Sequence, residues 1–228
     1  MGFQNGWRGP DIVSDGLVLY LDAGSPNSYR PDFGTTWKDM SGFNNSGSLI
    51  NGPTYSSANG GSIVLDGIND YISFANQALL TSPNFTATIW FSANSYNTPM
   101  IIRSRTFGYG ISLKSDATIT TFLYTDSGSP TGLDQTSNQI ILGSIYNIAI
   151  TFVNSVFSLY INGILQSFAN TTTNTVYYIP GGFAIGRDGD FNGSFLNGKI
   201  YSYLYYNRGL SASEVLQNYN AQKSRFGL

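Results

Sequence analysis

Between Phe85 and Phe91 the chain alternates without a break. Phe85, Ala87, Ile89 and Phe91 fall on one side, and Thr86, Thr88 and Trp90 on the other. A period of two sends successive side chains to opposite faces of an extended strand, whereas a helix would scatter them around its axis. Short segments of the same kind recur along the chain: Leu17 to Leu21, Ser62 to Leu65, Tyr71 to Phe74, Met100 to Arg103, Tyr109 to Leu113, Thr118 to Tyr124, Tyr146 to Val153, Val156 to Ile161, Ile164 to Phe168, Phe183 to Gly186 and Lys199 to Tyr206. Turn chemistry separates them. Asp66-Gly67-Ile68-Asn69-Asp70 joins two strands, Asn154-Ser155 centres a hairpin, and Asn162-Gly163 is a type I′ turn signal. Asp22 to Ala58 and Thr125 to Asn138 read as long turn-rich or polar segments. Many short strands with no βαβ alternation and no internal repeat predict an all-β fold of antiparallel sheets. One helix is expected, near the end, where Ser211-Ala-Ser-Glu214 is a capping box with Leu210 and Val215 as a hydrophobic staple. Tyr201, Tyr203 and Tyr205 are expected on one face, either as an inter-sheet stripe or as a sugar-stacking platform.

The 228 residues suffice for one sizeable core. We divide them into an N-terminal arm, 1–15, with Phe3 and Trp7 as apolar anchors, and a single domain, 16–228. Cysteine and histidine are absent and glutamate occurs once, at Glu214. Disulfides, thiolate metal sites, Ser-His-Asp triads and histidine-zinc centres are therefore excluded by count. So is a Glu–Glu glycosidase pair, although two aspartates could still serve. The net charge is −2 and the basic residues are scattered, which argues against a nucleic-acid partner. No apolar run approaches the roughly 20 residues of a membrane span. The first ten residues lack the apolar region of a secretory signal, so export by that route is not expected.

Three segments carry a family resemblance. The first is Gly16-Leu-Val-Leu-Tyr-Leu-Asp22, with Thr36-Trp37-Lys-Asp39-Met-Ser41-Gly42 and Asn51-Gly-Pro-Thr-Tyr55 after it. The second is Ser62-Ile-Val-Leu-Asp66-Gly67 with Asp70-Tyr71. The third runs from Gly198 through Asn207-Arg208-Gly-Leu210-Ser211 to Glu214 and Asn218-Tyr219-Asn220. Together with the hairpin of Ile148 to Phe152 and Leu159 to Gly163, they resemble the laminin G-like group of the concanavalin A-like lectin/glucanase superfamily. The opening block is most similar to versions found in virion proteins of tailed bacteriophages. The pattern departs from the group at Asn147, Ile68 and Asn69. The resemblance implies a jelly-roll sandwich of two antiparallel sheets with a short C-terminal helix. Function stays open, because the superfamily holds lectins, glucan hydrolases, adhesion modules and coats.

Calcium is the one cofactor suggested by the side chains. Asp188-Gly-Asp190-Phe-Asn192-Gly193 matches the start of a calcium loop, with oxygen side chains at alternate positions and glycine at the sixth. The twelfth position is Lys199, however, where a bidentate glutamate is needed, so an inter-strand turn is the simpler reading. Asp22, Asp39 and Asp66 form a second set, since laminin G-like relatives often bind calcium at the sandwich rim; capping of turn amides is the alternative. Gly193 to Lys199 has phosphate-loop spacing but leads into a strand through Ile200, which rules that motif out. The superfamily's glucanases carry a Glu-x-Asp-x-x-Glu strand, which one glutamate cannot supply. For carbohydrate the candidates are loop residues: Tyr96 and Asn97, Tyr124 and the segment after it, and Tyr177 and Tyr178.

The expected function is a non-catalytic virion structural protein, a capsid decoration or a tail or fibre component. It would be made in the host cytoplasm, displaying a lectin-like sandwich and contacting other virion proteins. A turn-rich β composition usually accompanies export, and release of particles by lysis reconciles it with the absent signal. The alternative is an adhesion module that recognises host surface glycans. Self-association into a homo-oligomer is left open by the pattern.

Overall fold

The computed structural model describes residues 10–75, 82–96, 100–104, 108–124, 130–134, 140–170, 176, 183–187 and 194–228. Among these residues, two antiparallel eight-stranded sheets pack face to face. The first contains β1 (Leu17–Asp22), β4 (Thr54–Ser56), β5 (Ser62–Asp66), β7 (Phe85–Ala93), β12 (Tyr146–Val153), β13 (Val156–Ile161), β14 (Ile164–Asn170) and β16 (Asn197–Tyr206). The second contains β2 (Thr36–Trp37), β3 (Gly47–Ile50), β6 (Tyr71–Phe74), β8 (Met100–Ser104), β9 (Tyr109–Leu113), β10 (Ile119–Tyr124), β11 (Pro130–Asp134) and β15 (Phe183–Ile185). This is the expected all-β sandwich, with the expected short helix α1 (Ala212–Gln222) at the end.

The first sheet runs β14-β13-β12-β7-β16-β5-β4, and the second β11-β10-β9-β8-β15-β6-β3-β2. β16 is long enough to serve two neighbours on one edge. Its residues 197–200 pair with β5, and its residues 202–206 pair with β1. Its other edge pairs with β7.

Alternation explains the core. Phe85, Ala87, Ile89 and Phe91 of β7 face inward with Ile148, Ile150 and Phe152 of β12 and Tyr203 and Tyr205 of β16. They meet Tyr109 and Ile111 of β9, Ile72 and Phe74 of β6, and Phe183 and Ile185 of β15. Phe85 stacks on Tyr109 at 4.7 Å and on Tyr205 at 5.9 Å between centroids. Ring pairs of this kind contribute about 0.5–1.5 kcal/mol each beyond their buried area.

The outer face of β7 is buried as well, which alternation alone does not foretell. Trp90 lies under Tyr219 of α1, at 5.5 Å, and Phe226 of the following 3₁₀ turn, at 4.5 Å. A second small core forms there from Val13, Ala149, Tyr160, Leu204, Tyr206, Leu210 and Val215. Residues 11–15, grouped with the arm on sequence grounds, are held against this face. The Val13 amide donates to Asn218 Oδ1 at 2.8 Å, its carbonyl accepts from the Tyr206 hydroxyl at 2.9 Å, and Gln217 donates to the Asp11 carbonyl.

Three features differ from expectation. A register shift between Ile200 and Ser202 turns Tyr201 away from Tyr203 and Tyr205, so it packs edge-on against Phe226 on the outer face. All three tyrosines are buried, and none forms an exposed platform. The turn-rich segment 22–58 holds β2, β3 and β4, which are too short to show a period. β11 lies within the expected polar loop; it is an edge strand opened by Pro130, the position in a ladder that tolerates a missing amide.

Candidate functional site

Three connections that pass from one sheet to the other meet at one rim. The turn after β3 leads to β4, the loop after β5 leads to β6, and the connection from β15 leads to β16. Asn51 and Gly52 make the first turn with positive φ values of 69° and 112°, a conformation asparagine and glycine tolerate best. In the second, Asp66 Oδ1 accepts from the amides of Ile68, Asn69 and Asp70 at 2.8, 3.1 and 3.3 Å, while Asp70 Oδ2 accepts from the Asp66 amide. The Asn51 side-chain amide donates to the Asn69 carbonyl at 2.8 Å and ties the first two connections together. Across the third, Arg187 bridges Phe195 and the Leu196 amide donates to the Gly186 carbonyl.

Between these connections lies an open cavity of about 580 Å³, lined by Asn51, Gly67, Ile68, Asn69, Tyr71, Arg187 and Phe195. The Arg187 guanidinium rests on the Tyr71 ring, with Cζ 3.8 Å from the centroid. Its Nε is buried and donates to nothing. Tyr71 and Phe195 are half-buried aromatics, and Asn69 is exposed. Ile68 is 73% exposed, an unusual position for a large aliphatic side chain. Neither Asp66 nor Asp70 lines the cavity. Burial raises the Asp66 carboxyl, but its amide hydrogen bonds outweigh that and hold it below its ordinary range. Burial, and then the Asp66 charge, push Asp70 up.

The remaining sequence candidates lie apart. Asp22 Oδ1 pairs with Arg225 and accepts from the Gly24 amide. Asp39 accepts from the amides of Tyr20, Ser41 and Asn45 and from the Ser41 hydroxyl, which organises residues 39–45. With Asp66 in its own loop, each carboxylate shapes local backbone. Among the described residues no group of three acidic side chains could hold a metal ion. The Tyr96 hydroxyl donates to the Ile140 carbonyl at 2.7 Å and its ring packs on the core. Tyr124 is half-buried on the outer side of β10, edge-to-face with Phe122 at 5.8 Å. Phe3, Trp7, Asn97, Tyr177, Tyr178, Asp188, Asp190 and Asn192 lie outside the described residues.

Arg187 was not singled out from the sequence, and Phe195 stood only within the phosphate-loop spacing that was ruled out. Asn51, Asn69 and Tyr71 were noted as parts of the family pattern and not as site residues. The available signal was Ile68, an aliphatic residue in a polar turn.

The lectin-like character of the sandwich is supported by comparison. A laminin G-like family described as "Concanavalin A-like lectin/glucanases superfamily" matches residues 66–216. No curated protein sequence matches the chain. Among solved structures, the chain is similar to the binding domain of Paraclostridial Mosquitocidal Protein 1, at 19% identity and a TM-score of 0.72, over 91% of this chain and 52% of that one. It is similar to the receptor binding domain of botulinum neurotoxin C/D mosaic serotype, at 19% identity and 0.71, over 92% and 52%. The botulinum neurotoxin serotype D binding domain gives 18% and 0.69, over 92% and 53%. The chain thus spans about half the length of these structures. The matched family covers most of the sandwich, from the loop that floors the cavity to the helix that covers the outer face, and the chain belongs to the laminin G-like group of the concanavalin A-like lectin/glucanase superfamily.

Proposed function

We propose that this chain is a non-catalytic, lectin-like binding module whose ligand is carbohydrate held at the rim cavity. The observation that carries the reading is the convergence of three sheet-to-sheet connections on a cleft that mixes aromatic faces, Tyr71 and Phe195, with planar polar groups, Asn51, Asn69 and Arg187. Sugars present apolar ring faces flanked by hydroxyls, and a cleft with few convergent polar groups on an apolar lining suits them. The similar solved structures are described as binding or receptor-binding domains, which supports a recognition role. The single glutamate, Glu214, is bound to Arg208 in the helix cap, so it is not available as a catalytic acid at this cleft.

Glycan-array binding by the purified chain tests the proposal. The expected result is a defined set of saccharide ligands, with affinity reduced about tenfold or more by Asn69→Ala together with Phe195→Ala. An array without ligands, or binding unchanged in that double variant, would overturn the reading. Turnover of the bound saccharide would overturn the non-catalytic part.

A second proposal concerns where the module acts. The opening block, from Gly16 to Asp22 and on to Tyr55, resembles tailed-bacteriophage virion proteins, which supports display on a particle as a decoration or fibre component. Regular density for the chain on intact particles is the expected result.

A further inference from the structure

We infer that the rim cavity selects acidic saccharides, those bearing a carboxylate or a sulfate, and that Arg187 is the residue that reads the charge. The inference rests on the binding-module reading and adds the chemical class of ligand.

Four observations carry it. Arg30, Arg208 and Arg225 each pair with a carboxylate, but among the described residues none pairs with Arg187. Among the described residues no anion stands beside this guanidinium at the cavity wall, and its buried Nε–H, without an acceptor, is a group most folds would satisfy. The Tyr71 ring supports the guanidinium from one face, with Cζ 3.8 Å from the ring centroid. That arrangement presets Arg for the in-plane, two-pronged contact that carboxylate and sulfate oxygens offer. Among the described residues, Asp66 and Asp70, the carboxylates of the loop between β5 and β6, are turned into their own backbone and do not line the cavity. A neutral sugar would leave the guanidinium as it is. An acidic one would supply the missing counter-charge while Phe195 and Ile68 cover its ring.

The test uses matched pairs: methyl glucuronide against methyl glucoside, and galactose 6-sulfate against galactose. Affinities for the purified full chain are measured by calorimetry or ligand-observed NMR at low and at physiological salt. Acidic members are expected to bind roughly tenfold or more tightly than their neutral partners, with the gap narrowing as salt rises. Arg187→Gln is expected to abolish that preference while keeping residual neutral-sugar binding, and Arg187→Lys to restore only part of it. Equal affinity for both members of each pair, or a preference that survives Arg187→Gln, would overturn the inference and leave the binding module standing. No binding of any saccharide by the wild-type chain would overturn the module itself. Binding of inorganic sulfate as tight as that of the sulfated sugar would show an anion site without saccharide recognition, which also overturns the inference. Unchanged thermal melting of both Arg187 variants separates loss of the ligand contact from loss of fold.

Discussion

At the scale of single residues, charged side chains here do mostly structural work, and Arg225 shows how. Its Nη1 pairs with Asp22, its Nη2 donates to the Gly61 carbonyl at 2.6 Å, and its Nε donates to the Asn59 carbonyl at 3.2 Å. One side chain thereby fastens the C-terminal turn to the end of β1 and to the turn before β5. Both partners are largely covered, at 18% and 14% side-chain exposure. Arg225→Ala removes three hydrogen bonds and leaves Asp22 short of its counter-charge. A loss of about 2 kcal/mol is expected, since hydrogen bonds to charged groups are worth about 1.5–3 kcal/mol and residual solvent access lowers the ion-pair share. Arg225→Lys should recover less than half, because one ammonium cannot reach three acceptors in fork geometry. Urea denaturation reads both, and an unchanged midpoint for the alanine variant would refute the clamp. None of this was visible beforehand. The Asp22 pairing is not legible in the sequence because its partner stands about two hundred residues away, and pairing at that separation leaves no local signature.

At the scale of elements, the terminal helix was the most legible, because its signals are local. Ser211 accepts from the Glu214 amide and Glu214 returns the contact to the Ser211 amide, as the capping box requires. Leu210 and Val215 are both buried in the small outer core. The Asn162-Gly163 turn and the hairpin at Asn154-Ser155 were legible for the same reason; all four residues take positive φ. The two-residue β2 and the edge strand β11 were not, since a period cannot be read from two residues and an edge strand need not be apolar. What sequence did not supply for the helix is Arg208, which holds Glu214 through two hydrogen bonds at 2.6 and 3.1 Å. That pairing brings the carboxyl from its ordinary 4.5 down to about 2. A depressed carboxyl contributes stability that is full above pH 4.5 and is lost as pH falls toward 2. Acidification through that window should therefore loosen the cap. Glu214→Gln should be less stable than wild type at neutral pH, with the two converging at low pH. Thermal melting across the window checks this, and a constant gap between the two proteins would exclude the linkage.

At the scale of the whole molecule, the fold class follows from alternation, but the cavity does not. It exists only because three crossover connections, separated by up to about 140 residues in the chain, arrive at one rim. Strand order decides that, and strand order is not written in the period of any strand. The same long-range packing places Tyr109 and Tyr203, from opposite sheets, with hydroxyls 3.1 Å apart, and stacks Tyr205 beside Tyr109 at 6.3 Å. Burial raises the hydroxyl pKa of all three well above the ordinary 10. A phenol whose pKa is raised by folding contributes stability that is fully present below about pH 10 and is lost as pH rises toward the native value. The unfolded chain can then ionise these tyrosines while the sandwich cannot, so base should open both sheets together instead of eroding one edge. Tyrosinate absorbance of the buried set and near-ultraviolet circular dichroism should change at one pH in a single cooperative step. Tyr205→Phe removes one of the linked groups and should make that step shallower. Tyrosinate appearing gradually while the near-ultraviolet signal persists would mean that the inter-sheet tyrosines reach water in the folded state, contrary to the packing that holds the two sheets together.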